Sequence, residues 1–124
     1  MATSSVSLHR LFLLLLIIIS FNYGGNMKVA KGLEYEKTWC VAKPSASEAE
    51  LQSNIEYACN NLGDYCKMIE PEGFCYEPNS IMNHASAVMN QYYASAGRNY
   101  WNCDFRGSAL VVITDPSYGS CNYE

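Results

Sequence analysis

This 124-residue chain predicts an α+β fold, a small domain whose coil is held by disulfides. Three observations predict it. Ser47-Glu48-Ala49-Glu50 is a capping-box pattern that opens an apolar stripe at helical spacing. Ala109-Leu110-Val111-Val112-Ile113-Thr114 is an apolar, β-branched run of strand type. Six cysteines (Cys40, Cys59, Cys66, Cys75, Cys103 and Cys121) all follow the apolar run from Leu11 to Phe21.

That run sets the context for the cysteines. Met1 to Arg10 carry one basic charge and no acid, and the eleven residues behind them, apolar but for Ser20, fall short of the roughly 20 that span a bilayer. They fit the core of a signal peptide over 1–30, with cleavage between 24 and 30, where Gly24, Gly25 and Ala30 are small. A retained signal anchor is the competing reading, disfavoured by that length. An even cysteine count in a short exported chain argues for a disulfide framework. No Cys-x-x-Cys occurs, and His84 is the only histidine beyond the N-terminal segment, so neither a metal nor a redox pair is expected. Six cysteines allow fifteen pairings, and spacing does not choose among them. The remainder, 31–124, makes one domain, marginal on apolar burial alone and in need of its bridges.

Within that domain Lys31 to Lys37 is a charged lead-in. Ser47 caps a helix over 48–61 whose stripe is Leu51, Ile55, Ala58, Cys59 and Leu62, with Gly63 as the stop. Pro71-Glu72-Gly73 is a turn. Asn79, after Pro78, caps a second helix with stripe Ile81, Ala85, Val88, Met89 and Tyr92, ended by Gly97. The strand at 109–114 is followed by the turn Asp115-Pro116-Ser117-Tyr118-Gly119 and a short strand from Cys121 to Tyr123.

From Lys31 onward six bases stand against all twelve acids, a net charge of −6, which gives no electrostatic footprint for nucleic acid or an anionic membrane. No hydrophobic tail marks a lipid anchor and no Asn-x-Ser/Thr acceptor is present, so the mature chain is expected to be a soluble monomer without a membrane anchor. Acids are present but no spacing marks a catalytic pair, and His84 has no nucleophile partner, so no catalytic residue, metal or cofactor is expected. His84 reads instead as a hydrogen-bonded structural residue. The surplus lies in aromatics: Trp39, Trp101, Phe74, Phe105 and nine tyrosines follow the leader. Their flat faces and polar edges match the C–H face and hydroxyls of a sugar ring. Adjacent helical residues point about 100° apart, so Tyr92 on the stripe is assigned to the core and Tyr93 to the exposed edge. Tyr118, at a turn, is a second exposed candidate.

Taken together, Trp39-Cys40-Val41-Ala42-Lys43, Leu51-Gln52-x-x-Ile55-x-Tyr57-Ala58-Cys59, Cys75-Tyr76-Glu77-Pro78-Asn79, His84-Ala85-Ser86, Asn90-x-Tyr92-Tyr93, Cys103-Asp104-Phe105 and Thr114-Asp115-Pro116-Ser117-Tyr118-Gly119-Ser120-Cys121 resemble the plant carbohydrate-binding module family 43. The resemblance runs from Lys37 to Tyr123. It implies a disulfide-stapled domain of two packed helices and a small antiparallel sheet, with bridges Cys40–Cys103, Cys59–Cys66 and Cys75–Cys121. It also implies non-catalytic binding of β-1,3-glucan, callose or laminarin, by a secreted protein of the plant wall or apoplast. Tyr93, Tyr118, Tyr123, Tyr76 and Asn79 are the binding candidates. One departure stands out: the family commonly has an aromatic after His-Ala-Ser, and here that position is Ala87. Loss of that aromatic contact favours the alternative reading, a secreted protein-interaction module whose sugar binding is weakened or lost.

Overall fold

A computed structural model describes residues 36–124. The leader assigned to 1–30 and most of the charged lead-in lie outside the described residues. Strand β1 is Trp39–Ala42, helix α1 Glu48–Leu62, helix α2 Ile81–Ser95 and strand β2 Ala109–Val112. Short 3-10 turns at Gly63–Ile69, Tyr100–Cys103 and Phe105–Gly107 fill the connections. The fold is the α+β class expected.

Helix α1 starts where local chemistry dictates. The Ser47 hydroxyl accepts from Glu50 N–H and the Glu50 carboxylate accepts from Ser47 N–H, each at 3.1 Å. The Ser47 backbone N–H first, and the Ser47 side chain second, hold the Glu50 carboxyl below its ordinary value. A lowered folded-state pKa gives stability that is present above the unfolded value near 4.5 and lost as pH falls through the folded one. Thermal melts between pH 6 and pH 3 should therefore show a shallower acid loss in Glu50→Gln, whose neutral amide keeps the box, than in wild type. Identical pH dependence in the two proteins would remove Glu50 as a contributor.

Helix α2 begins one residue later than the sequence reading placed it. Ser80, not Asn79, is the cap, its hydroxyl accepting from Asn83 N–H at 3.1 Å. Asn79 turns away and donates to the Tyr76 hydroxyl at 2.9 Å. At the other end Arg98 N–H reaches the Tyr93 carbonyl at 2.9 Å and Gly97 N–H the Ala94 carbonyl at 3.3 Å, a Schellman closure with Gly97 at φ 106°.

The sheet is two antiparallel strands in the register Trp39↔Val112 to Ala42↔Ala109. Strand β1 carries no alternating signal and was not anticipated from sequence. Its outer N–H groups meet α2 rather than a third strand: Cys40 N–H donates to Asn90 Oδ1 and Ala42 N–H to Ser86 Oγ, each at 3.0 Å. The spacings match. Four helical residues advance about 6 Å and two strand residues about 6.6 Å, so Ser86 and Asn90 can cap alternate donors of β1. Strand β2 stops at Val112, two residues short of the predicted end, because β1 offers no partner beyond Trp39. The expected strand from Cys121 to Tyr123 is absent. Tyr118 and Cys121 instead exchange backbone bonds of 3.0 and 2.8 Å and close a turn on themselves.

Helix α2 lies between α1 and β1, and this decides what it buries. Val88 packs with Ala58 and Leu62 of α1, while Ala85, Met89 and Tyr93 pack with Leu51, Cys40, Ala42 and Ala109. The bridges are Cys40–Cys103, Cys59–Cys66 and Cys75–Cys121, the pairing the resemblance implies.

Candidate functional site

Two candidates are corrected first. Tyr93 is 2% exposed, and its hydroxyl meets Thr38 Oγ1 at 2.7 Å. A helix covered from both sides buries a broad arc, so the residue at the edge of a single stripe goes inward, and half-buried Tyr92 lies against Tyr57 and Phe105. Tyr123, 8% exposed, sits among Trp39, Cys75, Ala87 and Cys121. Burial first, and Tyr118 nearby second, push its phenol well above the ordinary value. Neither ring offers a face to a ligand.

The other three candidates come together around the Cys75–Cys121 bridge. The Tyr118 hydroxyl stands 2.6 Å from the Glu77 carbonyl and 2.7 Å from Asn83 Oδ1, two acceptors for its one proton. Asn83 is oriented for this because its amide donates to the Cys75 and Pro78 carbonyls at 3.0 and 3.1 Å. Tyr76 stacks on His84 with centroids 5.4 Å apart, and His84 Nε2 lies 2.7 Å from the Tyr76 carbonyl. His84 is thus the hydrogen-bonded structural residue expected. Asp115 Oδ1 accepts from Ser117 N–H at 2.8 Å, which fixes the turn before Tyr118, and the Ser117 side chain first and its backbone N–H second hold the Asp115 carboxyl below its ordinary value. The result is a surface patch of two tyrosine rings whose positions are set before any ligand arrives.

Ala87 also changes meaning. It is 2% exposed and packs beside Trp39 and Tyr123. The departure from the family pattern therefore falls at a buried position of this chain.

Several exposed rings escaped sequence reading. Tyr65 and Phe74, the latter 74% exposed, flank an open cleft of about 440 Å³. Tyr100 and Trp101 form an edge-to-face pair at 5.1 Å, and Tyr57 lines a smaller pocket with Phe105. Tyr65, Tyr100 and Trp101 lie in short 3-10 turns, which no periodicity flags, Phe74 lies in a turn, and Tyr57 lies on α1 off its apolar stripe. Among the described residues no group of three His, Cys, Asp or Glu is placed to hold a metal ion.

The arrangement is that of a rigid, disulfide-held module with pre-set aromatic surface. The chain belongs to the X8 domain family, which it matches over residues 38–110, the family 43 of the sequence resemblance. It is 54% identical over 86 residues to a glucan endo-1,3-beta-D-glucosidase of Olea europaea, covering 69% of this chain but 18% of that enzyme. It is 47% identical over 87 residues to the major pollen allergen Ole e 10 of Olea europaea, covering 70% of this chain and 71% of the allergen. It is 35% identical over 86 residues to plasmodesmata callose-binding protein 2 of Arabidopsis thaliana, covering 69% of this chain and 44% of that protein. The chain thus spans less than a fifth of the olive glucosidase it resembles.

Proposed function

We propose that this protein is a non-catalytic β-1,3-glucan-binding module, secreted to the plant wall or apoplast with 1–30 as its leader and 31–124 as the binding domain, and that the Tyr76–Asn79–Tyr118 patch takes part in binding. The observation that carries the reading is the extent of the match: the stretch shared with the glucosidase is 18% of that enzyme, whereas it is 71% of the pollen allergen. Its relative named for binding callose supports the ligand class. The net charge of −6 beyond Lys31 suits a neutral polymer and repels polyanions. In the patch a sugar ring packs on Tyr118 while its hydroxyls exchange hydrogen bonds with the Asn79 amide and backbone carbonyls. The rings are already fixed, so little ordering cost falls on binding.

Affinity electrophoresis of the oxidised protein tests this, with laminarin gels against xylan and hydroxyethylcellulose. Retardation by laminarin alone is expected. Tyr118→Ala should weaken retention about fivefold, in line with the roughly 1 kcal/mol of an aromatic contact. Free migration of folded wild type in laminarin would end the glucan reading. Wild-type retention in Tyr118→Ala, with unchanged circular dichroism, would remove Tyr118 from the site.

A further inference from the structure

We propose that a pocket of about 200 Å³ between α1 and the Phe105–Gly107 turn, lined by Ser53, Asn54, Tyr57, Phe105 and Arg106, is a second sugar subsite that takes one pyranose unit. The proposal rests on the glucan reading but names a place apart from the Tyr76–Tyr118 patch. His84 and Tyr92, one beside each, are eight residues apart on α2, about 12 Å along its axis.

Three observations bear on this pocket. The first is Asn54, which interrupts the apolar stripe of α1 and is 7% exposed. Its amide nitrogen is taken by Ser108 Oγ at 2.8 Å and lies 3.8 Å from Met89 Sδ. Its Oδ1 has no donor among the described residues, yet it is not sealed off, since the one fully enclosed unpartnered side-chain acceptor there is Asn102 Oδ1. Asn54 is one of the five residues that line the pocket, so its spare acceptor belongs to a side chain of the pocket wall. A polar group held in a core position without a protein partner is costly unless something else serves it.

The second observation is backbone strain at the rim. Phe105 and Arg106 hold φ of 46° and 54°, left-handed values that residues with a Cβ rarely adopt, and they do so in succession. Such conformations persist where the surroundings enforce them, and they gather at ligand sites. The enforcement is visible. Ser108 Oγ donates to the Phe105 carbonyl and accepts from Asn54, so the strained turn is tied to the residue that lines the pocket beside it.

The third is chemistry. The Tyr57 ring, braced by Phe105 and Tyr92 at 6.2 and 5.3 Å, gives an apolar wall, while Tyr57 and Tyr92 hydroxyls meet at 3.2 Å. Asn54 Oδ1 accepts, Arg106 donates, and the Ser53 and Tyr57 hydroxyls can do both. A neutral ring with an apolar face and vicinal hydroxyls needs that combination, and the volume limits occupancy to about one such unit.

Titration of the 15N-labelled oxidised protein with a β-1,3-linked glucose oligomer tests the proposal by NMR. Amide shifts are expected at the Asn54 side chain and over 104–107, as well as over 76–84 and 117–121. Arg106→Gly is the informative variant. Glycine relieves the strain at φ 54°, so its melting temperature should equal or exceed wild type, whereas pocket affinity should fall about tenfold. A merely structural role for Arg106 predicts no such divergence. Tyr57→Ala, at a half-exposed ring, should weaken the same shifts. Shifts confined to 76–84 and 117–121 would overturn the second subsite and leave the glucan reading standing, and so would unchanged pocket affinity in both variants. No shift anywhere in folded wild type would overturn both.

Discussion

Replacing Cys40 and Cys103 together by alanine should cost about 4 kcal/mol of stability, because their bridge closes a sequence separation of 63 residues. In a domain of this size that is much of a total stability of about 5–15 kcal/mol, and it should lower the melting temperature by roughly 20 °C. The bridge joins β1 to the turn that follows α2, and both cysteines are buried in the main core cluster, so alanines also leave volume unfilled. Cys59–Cys66 spans a separation of 7 and ties the end of α1 to the next 3-10 turn, for which the same chain-entropy argument gives about 2 kcal/mol. The order is the test. Urea midpoints should fall further in the Cys40/Cys103 double variant than in the Cys59/Cys66 one, and the reverse order would show that native-state strain or residual unfolded structure dominates over loop length.

What sequence could and could not reveal follows the range of the forces involved. Helix α1 was legible because its capping box acts within four residues. The start of α2 was displaced by one because Asn79 and Ser80 are both good caps, and the choice is made by Tyr76, which occupies the Asn79 amide. Strand β1 was invisible because its outer hydrogen bonds come from Ser86 and Asn90, more than forty residues away. Of the candidate site, Tyr76, Asn79 and Tyr118 converge through contacts that cross the chain, among them the bond from Tyr118 to the Glu77 carbonyl. The pocket beside Phe105 left no trace. Left-handed residues other than glycine have no local signature, and Asn54 was passed over in an otherwise apolar stripe.

Tyr93→Ala should destabilise the fold by about 3–5 kcal/mol, the cost of deleting a large buried ring. The ring is wedged against Cys40, Leu51 and Met89, where neither α1 nor β1 can move in to fill the space without breaking the bonds Asn90 and Ser86 make to β1. Tyr93→Phe separates the ring from its hydroxyl. It keeps the volume and loses only the 2.7 Å bond to Thr38, so it should cost about 1 kcal/mol. The pair also discriminates core from site. With its ring enclosed, Tyr93→Phe should be retained by laminarin as strongly as wild type, whereas Tyr118→Ala should show the fivefold weaker retention while still folding. If Tyr93→Ala instead melted within a degree or two of wild type while losing glucan, the ring would be facing solvent, and α2 would be turned on its axis relative to β1.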